Sequence, residues 1–443
     1  MPDTIRIKRG LDIPLGGTPS QEVTQDRQTK LFAIYPDDYP GPVWKAAVKP
    51  GDRVEAGAPL LVDKSTGRVF LVSPVSGVIK EINRGERRHI CYISVEKTVD
   101  EENPVIGSLR DNAEDIKEAL LASGLWAMMR QRPYDIVPEV EVVPRDIFVT
   151  AFDSAPLAGD LIEAEDSKWL EEGFKALSTL TSGSIYLGKR PEQKIDSKIA
   201  KIYNFEGPHP AGNVGTQISA IKPVNTGETV WTVDAMTVVR IGKLCSAGEM
   251  DFSTLVSVTG PIVKNPHIVK TTIGAEIKGL LEGFLNSDKG LRIISGNVLT
   301  GVKVSADGFL HYPYRQITVI EEGDNADEFM GWASMNPGKY SVKRNFPAFL
   351  RGLSKPFDFD ARIKGGKRAM ILSGEYDKVF PFDIYPEYLL KAIIAKDIDR
   401  MEKLGIYEIA PEDFALPEFV DTSKQELQKT VREGLDYLRK ELS

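Results

Sequence analysis

The hydrophobic pattern of this chain changes its period along the sequence, and that change constrains the fold more than any other feature. Residues 43–95 consist of short β-rich runs separated by Gly, Pro and Asp. From residue 112 onward, helix-like stretches alternate with short apolar runs, and the C-terminal end carries amphipathic helical patterns. A chain of 443 residues exceeds the usual domain size of about 100–200 residues. The sequence therefore predicts a multidomain protein of the α/β plus β class.

The first folded block reads as a small all-β domain. Residues 48–62 and 72–82 each combine strand-forming residues with turn residues, such as Gly57 in the first block. This pattern resembles the flattened barrel-sandwich domain of biotinyl and lipoyl carriers. We assign it to residues 34–100, after an N-terminal segment of residues 1–33.

A lysine at the hairpin tip of such carrier domains is covalently modified, and Lys64 stands in the matching place. The Ala-Met-Lys-Met tip of carriers is absent, and residues 64–74 form a longer connection than the usual hairpin. We therefore favour an unmodified, solvent-exposed Lys64. The alternative is an independent biotin- or lipoyl-type carrier component, which an added mass on Lys64 would reveal.

The middle of the chain predicts a Rossmann-like α/β domain over residues 101–254. The apolar run at residues 146–152 ends in polar residues, as a buried parallel strand would. A helix-like stretch at residues 168–180 and a strand-like run at residues 184–188 follow. Before them, residues 112–129 predict a helix with Asn112 as its N-cap. Such alternation is typical of βαβ units in a doubly wound sheet.

A glycine-rich loop follows the strand predicted at residues 201–205. It reads Gly-Pro-His-Pro-Ala-Gly-Asn-Val-Gly at residues 207–215, and we call it the glycine loop. Such a loop can present backbone N–H groups to a phosphate. However, its glycine spacing is not G-x-G-x-x-G, and Asn213 stands where a P-loop requires Lys. Two interpretations stay open: a pocket for an aromatic or anionic ligand, such as a quinone, or a tight strand–helix turn.

The candidate ligand-binding residues are glycines or polar residues near strand ends: Gly207, His209, Gly212, Gly215 and Asp234. Asp234 is open to two interpretations, because an Asp before an apolar helical pattern is also a common N-cap. No catalytic residue is assigned.

The remaining sequence predicts two further domains. Residues 255–322 read as strand, strand, helix and strand, with a hairpin between 255 and 270, and this order is typical of a β-grasp module. Residues 323–443 predict a mainly helical domain. One helix is expected over residues 386–404 with Gly405 just past its end, and another over residues 423–442. Ser423 and Glu426, three positions apart, form a candidate capping box for the second helix.

Composition excludes several classes of function. The net charge of −8 makes nucleic acid a poor partner, because phosphate binding requires clustered excess Lys and Arg. Cys91 and Cys245 cannot supply the four thiolates of a typical iron–sulfur cluster, and the four histidines form no H-x-x-x-H pair, so no metal site is predicted. No stretch reaches the roughly 18–20 apolar residues of a membrane helix, and residues 1–10 lack a signal-peptide core.

The order of these blocks, together with several local stretches, resembles the A subunit of the Na⁺-translocating NADH:quinone reductases. Besides the glycine loop, the stretches that carry this resemblance are residues 7–17, 123–126, 132–134, 148–157 and 258–266. The match spans essentially the whole chain. That family is distantly similar to the flavin- and NADH-binding subunit of respiratory complex I and to the C subunit of the Rnf complex. Those relatives carry a cysteine set in a tail that corresponds to residues 404–420, where this chain has no Cys.

The resemblance implies a peripheral subunit on the cytoplasmic face of the bacterial inner membrane, docked on the membrane-embedded B subunit, with only indirect membrane contact. The whole complex passes electrons from NADH to ubiquinone or menaquinone and exports Na⁺. Other subunits carry FAD, FMN, riboflavin and the iron–sulfur centre. We expect no redox cofactor on this chain, no isolated activity, and a contribution to quinone binding. A stand-alone NADH–flavin oxidoreductase is the other alternative, and such a protein would be coloured when purified.

Overall fold

The computed structural model describes residues 3–26, 28–98, 103–105, 112–159, 161–162, 166–286, 290–324, 338–343 and 356–442. Within these ranges, no helix is both long enough and apolar enough to cross a bilayer. One large hydrophobic core runs from the N-terminal β-rich part through the two parts that follow it, and a separate core holds the C-terminal helices together. The chain is therefore a multidomain α/β plus β protein, as predicted.

The N-terminal segment contributes an edge strand to each of two sheets. Strand β1 (Asp3–Arg6) pairs in parallel with residues 203–206. Strand β2 (Val23–Gln25) pairs in parallel with residues 268–270. Both pairings join residues roughly two hundred positions or more apart, so this segment ties the α/β part to the part that follows it.

The carrier-like domain is a pair of small antiparallel sheets. Its strands are β3 (Leu31–Ile34), β4 (Trp44–Ala46), β5 (Arg53–Val54), β6 (Pro59–Asp63), β7 (Phe70–Val72), β8 (Gly77–Arg84) and β9 (Ile90–Lys97). They are ordered β3-β9-β8-β5 in one sheet and β4-β6-β7 in the other. Leu60, Leu61 and Ile93 lie fully buried between them, which confirms the predicted β-domain. Lys64 is exposed in the turn after β6.

The α/β domain is built on a six-stranded sheet of order β1-β13-β12-β11-β14-β10. Its elements are α1 (Ala113–Ala122), β10 (Arg130–Arg132), β11 (Asp146–Thr150), α2 (Ser167–Ser178), β12 (Ile185–Lys189), β13 (Lys201–Glu206), α3 (Val214–Ile221), β14 (Val230–Asp234) and α4 (Ala235–Ala247). Strands β1, β13, β12, β11 and β14 run parallel, and β10 is an antiparallel edge. The mixed α/β sheet agrees with the prediction, and the Rossmann-like assignment stays a prediction.

The first helix of this domain is shorter than the sequence predicts. Asn112 caps it, since its side chain accepts a hydrogen bond from the Asp115 N–H at 2.9 Å. The helix nevertheless ends at Ala122 rather than near residue 129. Gly124 adopts a left-handed φ of +77°, and a short 3-10 turn over Leu125–Met128 follows it. The apolar pattern continues through this turn, which is why the sequence suggests one long helix.

The third part contains a mixed sheet and one short helix. Its elements are β15 (Ser253–Thr259), β16 (His267–Thr272), α5 (Ile277–Leu281), β17 (Leu291–Ser295), β18 (Val302–Val304) and β19 (Gln316–Glu321). The sheet order is β18-β17-β19-β15-β16-β2. The predicted hairpin is present, with Val258 opposite His267. The β-grasp assignment stays a prediction.

The C-terminal part contains α6 (Pro386–Ile394), α7 (Ile398–Lys403), α8 (Ala415–Val420) and α9 (Leu427–Leu442). The single helix predicted over residues 386–404 is wrong, because it breaks between α6 and α7. Lys396 adopts a φ of +54° there, and the Asp397 side chain caps α7 by accepting from the Arg400 N–H at 3.1 Å. Gly405 follows α7 with a φ of +89°, as expected of a residue just past a helix end.

The capping box predicted at Ser423 and Glu426 is also wrong. Helix α9 begins at Leu427, and two upstream carboxylates receive the N–H groups near its start. Asp421 accepts from the N–H groups of Ser423 and Gln425 at 3.0 and 2.8 Å. Glu418 accepts from the Gln428 N–H at 2.9 Å. Glu418 in α8 and Asp421 just after it therefore supply these acceptors.

Candidate functional site

The glycine loop and Asp234 both lie at the carboxyl edge of the α/β sheet. The chain adds β12 and β13 on one side of β11 and then crosses to add β14 on its other side. The carboxyl ends of β11 and β14 therefore flank a topological switch point, where α/β sheets commonly bind ligands. Thr150 at the end of β11 is in register with Asp234 at the end of β14.

The glycine loop is held by the loop that follows β11. Thr150 Oγ1 donates a hydrogen bond to the Gly212 carbonyl at 2.9 Å. The Gly212 N–H donates to Ser154 Oγ at 2.8 Å, and Ser154 Oγ lies 3.1 Å from His209 Nδ1. The Ser154 hydroxyl therefore contacts both the Gly212 N–H and the His209 ring. The sequence pattern identified His209 and Gly212 but not these partners.

His209 is buried in this arrangement, and its surroundings favour the neutral imidazole. Its relative exposure is 4%, and burial lowers the pKa of its imidazole despite the nearby carboxylates of Asp153 and Asp12. The backbone N–H of His209 also donates a hydrogen bond to Asp12 Oδ1 at 2.9 Å, and this bond ties the loop to the N-terminal segment. The ring therefore serves as a neutral hydrogen-bond partner in this site.

Each of the three glycines in the glycine loop is in close contact with the chain itself. A Cβ on Gly207 would lie 2.2 Å from the Ile7 carbonyl oxygen, at a φ of +127°. A Cβ on Gly212 would lie 2.6 Å from the Ser154 nitrogen, and one on Gly215 would lie 2.2 Å from Asp413 Oδ1. This packing suits a tight strand–helix turn. A ligand role for the loop stays a prediction.

The first turn of α3 faces a carboxylate from the C-terminal part. Gly215 is the second residue of α3, and Asp413 lies against it. Arg132 and Asp413 form a buried ion pair at 3.0 Å, with side-chain exposures of 2% and 0%. Helix N-termini favour anions, and a nucleotide-binding fold places a phosphate there. Here the chain's own carboxylate lies at that end of the helix.

Other acidic side chains surround this ion pair. Burial raises the pKa of Asp413 above its ordinary value, although Arg132 opposes the shift. Burial also raises the pKa of Glu408 to about 7. Desolvation by the surrounding protein atoms and the nearby Asp413 raise the pKa of Glu412 to about 8, although this residue is exposed at the surface. The pKa values of Glu408 and Glu412 are therefore raised to near or above neutral pH, whereas Asp413 remains ion-paired with Arg132.

Asp234 belongs to a different feature. It caps α4, since its side chain accepts from the Thr237 N–H at 3.1 Å, and this confirms the N-cap interpretation. It also lines a narrow cleft between the α/β domain and the third part, with an enclosed volume of about 20 Å³, which is roughly the room for one water molecule. We call it the Asp234 cleft, and its lining residues are Asp234, Arg240, Thr254, Ile273, Gly274 and residues 310–315. That lining includes none of Gly207, His209, Gly212 and Gly215, all of which are described residues.

Two arginines dominate the charge of the Asp234 cleft. Burial alone would raise the pKa of Asp234, but the guanidinium groups of Arg315 and Arg240 outweigh it and lower that pKa. Arg240 is 3% exposed and donates from one terminal nitrogen to the Ser253 carbonyl at 2.8 Å. Arg240 Nε and one terminal nitrogen of Arg315 are buried without a hydrogen-bond partner in the part of the chain that the structure describes. Buried donors of this kind are costly to leave unpaired.

Aromatic side chains continue from the cleft toward the carrier-like domain. Tyr312 stacks on Tyr39 with ring centroids 5.0 Å apart, and the Arg130 guanidinium lies 5.5 Å from the Tyr312 centroid. His311 pairs with Asp38 at 2.8 Å and stacks on Tyr35. Burial raises the pKa of Tyr312 to about 12, so its phenol keeps its proton at neutral pH. The region combines aromatic faces with hydrogen-bond donors.

Side chains that commonly bind metals are dispersed over the described residues. No group of three His, Cys, Asp or Glu side chains among them could hold a metal ion. Cys91 and Cys245 are both partly buried, and neither is in a disulfide bond.

Comparisons with known proteins cover most of the chain. Three family models match: the NqrA N-terminal barrel-sandwich hybrid domain over residues 5–98, the NqrA second alpha/beta domain over residues 111–250, and the NQRA C-terminal domain over residues 255–306. The chain is similar to the A subunit of the Na(+)-translocating NADH-quinone reductase of Rhodopirellula baltica, at 36% identity over 98% of both chains. The same protein of Vibrio anguillarum is 36% identical over 99% of this chain and 100% of its own length. That of Haemophilus influenzae is 37% identical with the same coverage.

Proposed function

Because the chain belongs to the A-subunit family of the Na⁺-translocating NADH:quinone reductases, we propose that it docks on the membrane-embedded B subunit and helps to bind the quinone. The full-length similarity to A subunits of this reductase supports the proposed docking on the B subunit. The chain would work from the cytoplasmic face of the bacterial inner membrane. FAD, FMN, riboflavin and the iron–sulfur centre would lie in other subunits.

The Asp234 cleft is the place we propose for the quinone head group. Two buried guanidinium N–H groups, on Arg240 and Arg315, have no acceptor in the described chain, and a quinone offers two carbonyl oxygens. Tyr312, whose ring stacks on Tyr39, also lines this cleft. Ligand pockets commonly lie at domain interfaces and at switch points of α/β sheets. The head group of ubiquinone or menaquinone fits this chemistry.

The glycine loop remains the competing location for the quinone. Its candidate residues Gly207, His209, Gly212 and Gly215 share the same edge of the sheet, and the Ser154–His209 contact offers polar groups. A Cβ on Gly207, Gly212 or Gly215 would come within 3 Å of other atoms of the chain, so these glycines are closely packed. Substitutions in the Asp234 cleft and in the glycine loop therefore distinguish the two locations by their effect on quinone affinity.

The test is the affinity of the purified full chain for a short-chain ubiquinone analogue, measured by calorimetry. Arg315→Met keeps the length of the side chain and removes its donors, so we expect at least a tenfold weaker affinity. Arg53→Met, at an exposed position of β5, is the matched control and should bind as the wild type does. Gly212→Val tests the loop.

Unchanged quinone affinity in a correctly folded Arg315→Met chain would refute the Asp234 cleft as the quinone-binding site. If only Gly212→Val loses quinone affinity, the glycine loop is the binding site. Measuring Na⁺-stimulated quinone reduction in the assembled complex with the same variants would show whether binding here matters to turnover.

A further inference from the structure

The C-terminal part carries a cluster of exposed apolar side chains. Among the described residues, fourteen large hydrophobic residues are exposed, and six of them fall between residues 363 and 394. Ile371 and Leu372 are 57% and 50% exposed, and Tyr385 and Tyr388 are 68% and 55% exposed. Scattered exposed apolar residues are ordinary, but a concentration of them marks an interaction surface.

Hydrogen bonds to α6 place the segment that carries Ile371 and Leu372 beside the element that carries the two tyrosines. The buried Glu387 carboxylate accepts from the N–H groups of Ser373 and Gly374 at 2.9 and 3.0 Å. Ser373 directly follows Leu372, and Glu387 lies between the two tyrosines in sequence. The tyrosine rings are in edge contact, with centroids 6.1 Å apart. We call Ile371, Leu372, Tyr385 and Tyr388 the apolar patch.

A positively charged stretch leads into the apolar patch. Residues 362–368 contain four basic side chains and no acidic one, in a chain of net charge −8. We call these residues the basic segment. Asp360 pairs with both Arg362 and Lys364. Glu426 pairs with both Lys367 and Lys429, so each of these two carboxylates is shared between two cations.

The end of the basic segment is hydrogen-bonded to the rest of the C-terminal part. The Arg368 N–H donates to the Ser423 carbonyl at 2.8 Å, and the Ser423 hydroxyl donates to the Ala369 carbonyl at 2.9 Å. Together with the Glu387 contacts, these bonds hold the stretch on both sides of Ile371. A preorganised surface loses less conformational entropy when a partner binds.

We propose that the apolar patch and the basic segment form the docking surface for a neighbouring protein of the complex, through a segment of that protein with apolar and acidic side chains. The inference rests on the proposed function, which places the chain in a multi-subunit complex. An aromatic centre beside charged residues is the usual anatomy of a protein interface. The cations of the basic segment complement Asp and Glu on the partner.

The surface suits a protein better than a bilayer. A membrane-surface helix needs a free apolar face, whereas α6 buries Leu389, Leu390 and Ile393 in the C-terminal core. The exposed side of α6 presents tyrosines, which can pack and hydrogen-bond against a folded partner.

The experiment uses the full chain and the remainder of the complex, solubilised in detergent from cells that lack this chain. Association is measured as an apparent Kd for Tyr385→Ser/Tyr388→Ser and for Ile371→Ser/Leu372→Ser. Val43→Ser/Val143→Ser removes two exposed apolar residues outside the patch and is the matched control. Thermal unfolding confirms that all variants are folded. We expect both patch variants to bind at least tenfold more weakly, and the control to match the wild type.

Charge reversal tests the basic segment separately. Lys364→Glu/Lys367→Glu should slow association several-fold and reduce its dependence on salt, because rim charges act mainly on the rate of encounter. A similar loss with the control variant at residues 43 and 143 would contradict a localised surface.

The outcomes separate the two proposals. If the wild-type chain binds and the patch variants bind equally well, the docking surface is elsewhere and the proposed function stands. If the patch variants lose binding only to protein-free vesicles containing phosphatidylglycerol, the surface contacts lipid and the protein partner is refuted. If the wild-type chain itself does not associate, the proposed function fails and the docking surface fails with it.

Discussion

Removing the Asp413 carboxylate should destabilise the contact between the C-terminal part and the α/β domain. Asp413→Ala leaves the Arg132 guanidinium buried, at 1% relative exposure, without its ion-pair partner. Deleting one partner of a buried ion pair costs about 3–5 kcal/mol, because the other charge stays desolvated. The variant also removes the acceptor of the Ala410 N–H, at 2.8 Å. We therefore expect a loss of stability at the upper end of that range.

Hydrogen exchange is the assay that resolves this effect by region. The chain has several domains, so a global unfolding midpoint would not show which of them is destabilised. Faster exchange in α8 and α9, with unchanged exchange in β8 and β9 of the carrier-like domain, is the expected result. The double variant Arg132→Met/Asp413→Leu replaces both charges by apolar side chains and should recover much of the loss.

A stabilising role for the ion pair is refuted if Asp413→Ala exchanges as the wild type does in α8 and α9. It is also refuted if the double variant is less stable than Asp413→Ala alone. Either result would mean that this ion pair does not hold the C-terminal part against the first turn of α3.

Three other predictions concern pH, backbone packing and modification. Burial raises the pKa of Glu408 from 4.5 to about 7, so the folded chain binds this proton more tightly than the unfolded chain does. The stability of the fold therefore decreases as the pH rises from 4.5 to 7. Glu408→Gln should raise the thermal midpoint at pH 8 but not at pH 4.5. A Cβ at Gly17, whose φ is +94°, would lie 2.2 Å from the backbone of Gly260, so Gly17→Ala should lower the free energy of unfolding by more than about 1 kcal/mol, as urea titration would measure. Intact mass spectrometry should give the unmodified mass at Lys64, and an added biotin or lipoyl group would contradict this.

Local patterns account for much of the fold. The carrier-like strands and the parallel strands β11 and β12 follow directly from short β-rich runs and the turn residues between them. The Asn112 and Asp234 caps also depend on neighbouring residues only. The helix break at Lys396 escapes prediction, because the apolar periodicity continues across residues 395–397 and hides it.

Contacts between distant parts of the sequence cannot be predicted from these patterns. Arg132 and Asp413 are 281 positions apart, and β1 is too short and too exposed to indicate a partner near residue 203. One residue of the Asp234 cleft could have been identified from the sequence. Arg240 is a charged residue inside the apolar pattern of α4, and a buried charge in such a place often lines a site.

Membership of a working Na⁺-translocating NADH:quinone reductase can be tested on the native complex. The most direct measurement is affinity purification of the full chain from gently solubilised host membranes, with the eluate assayed for NADH-dependent quinone reduction with and without Na⁺. We expect membrane subunits to co-purify and Na⁺ to stimulate the activity. A chain that purifies alone, while the depleted membranes keep their full Na⁺-stimulated activity, would contradict this role.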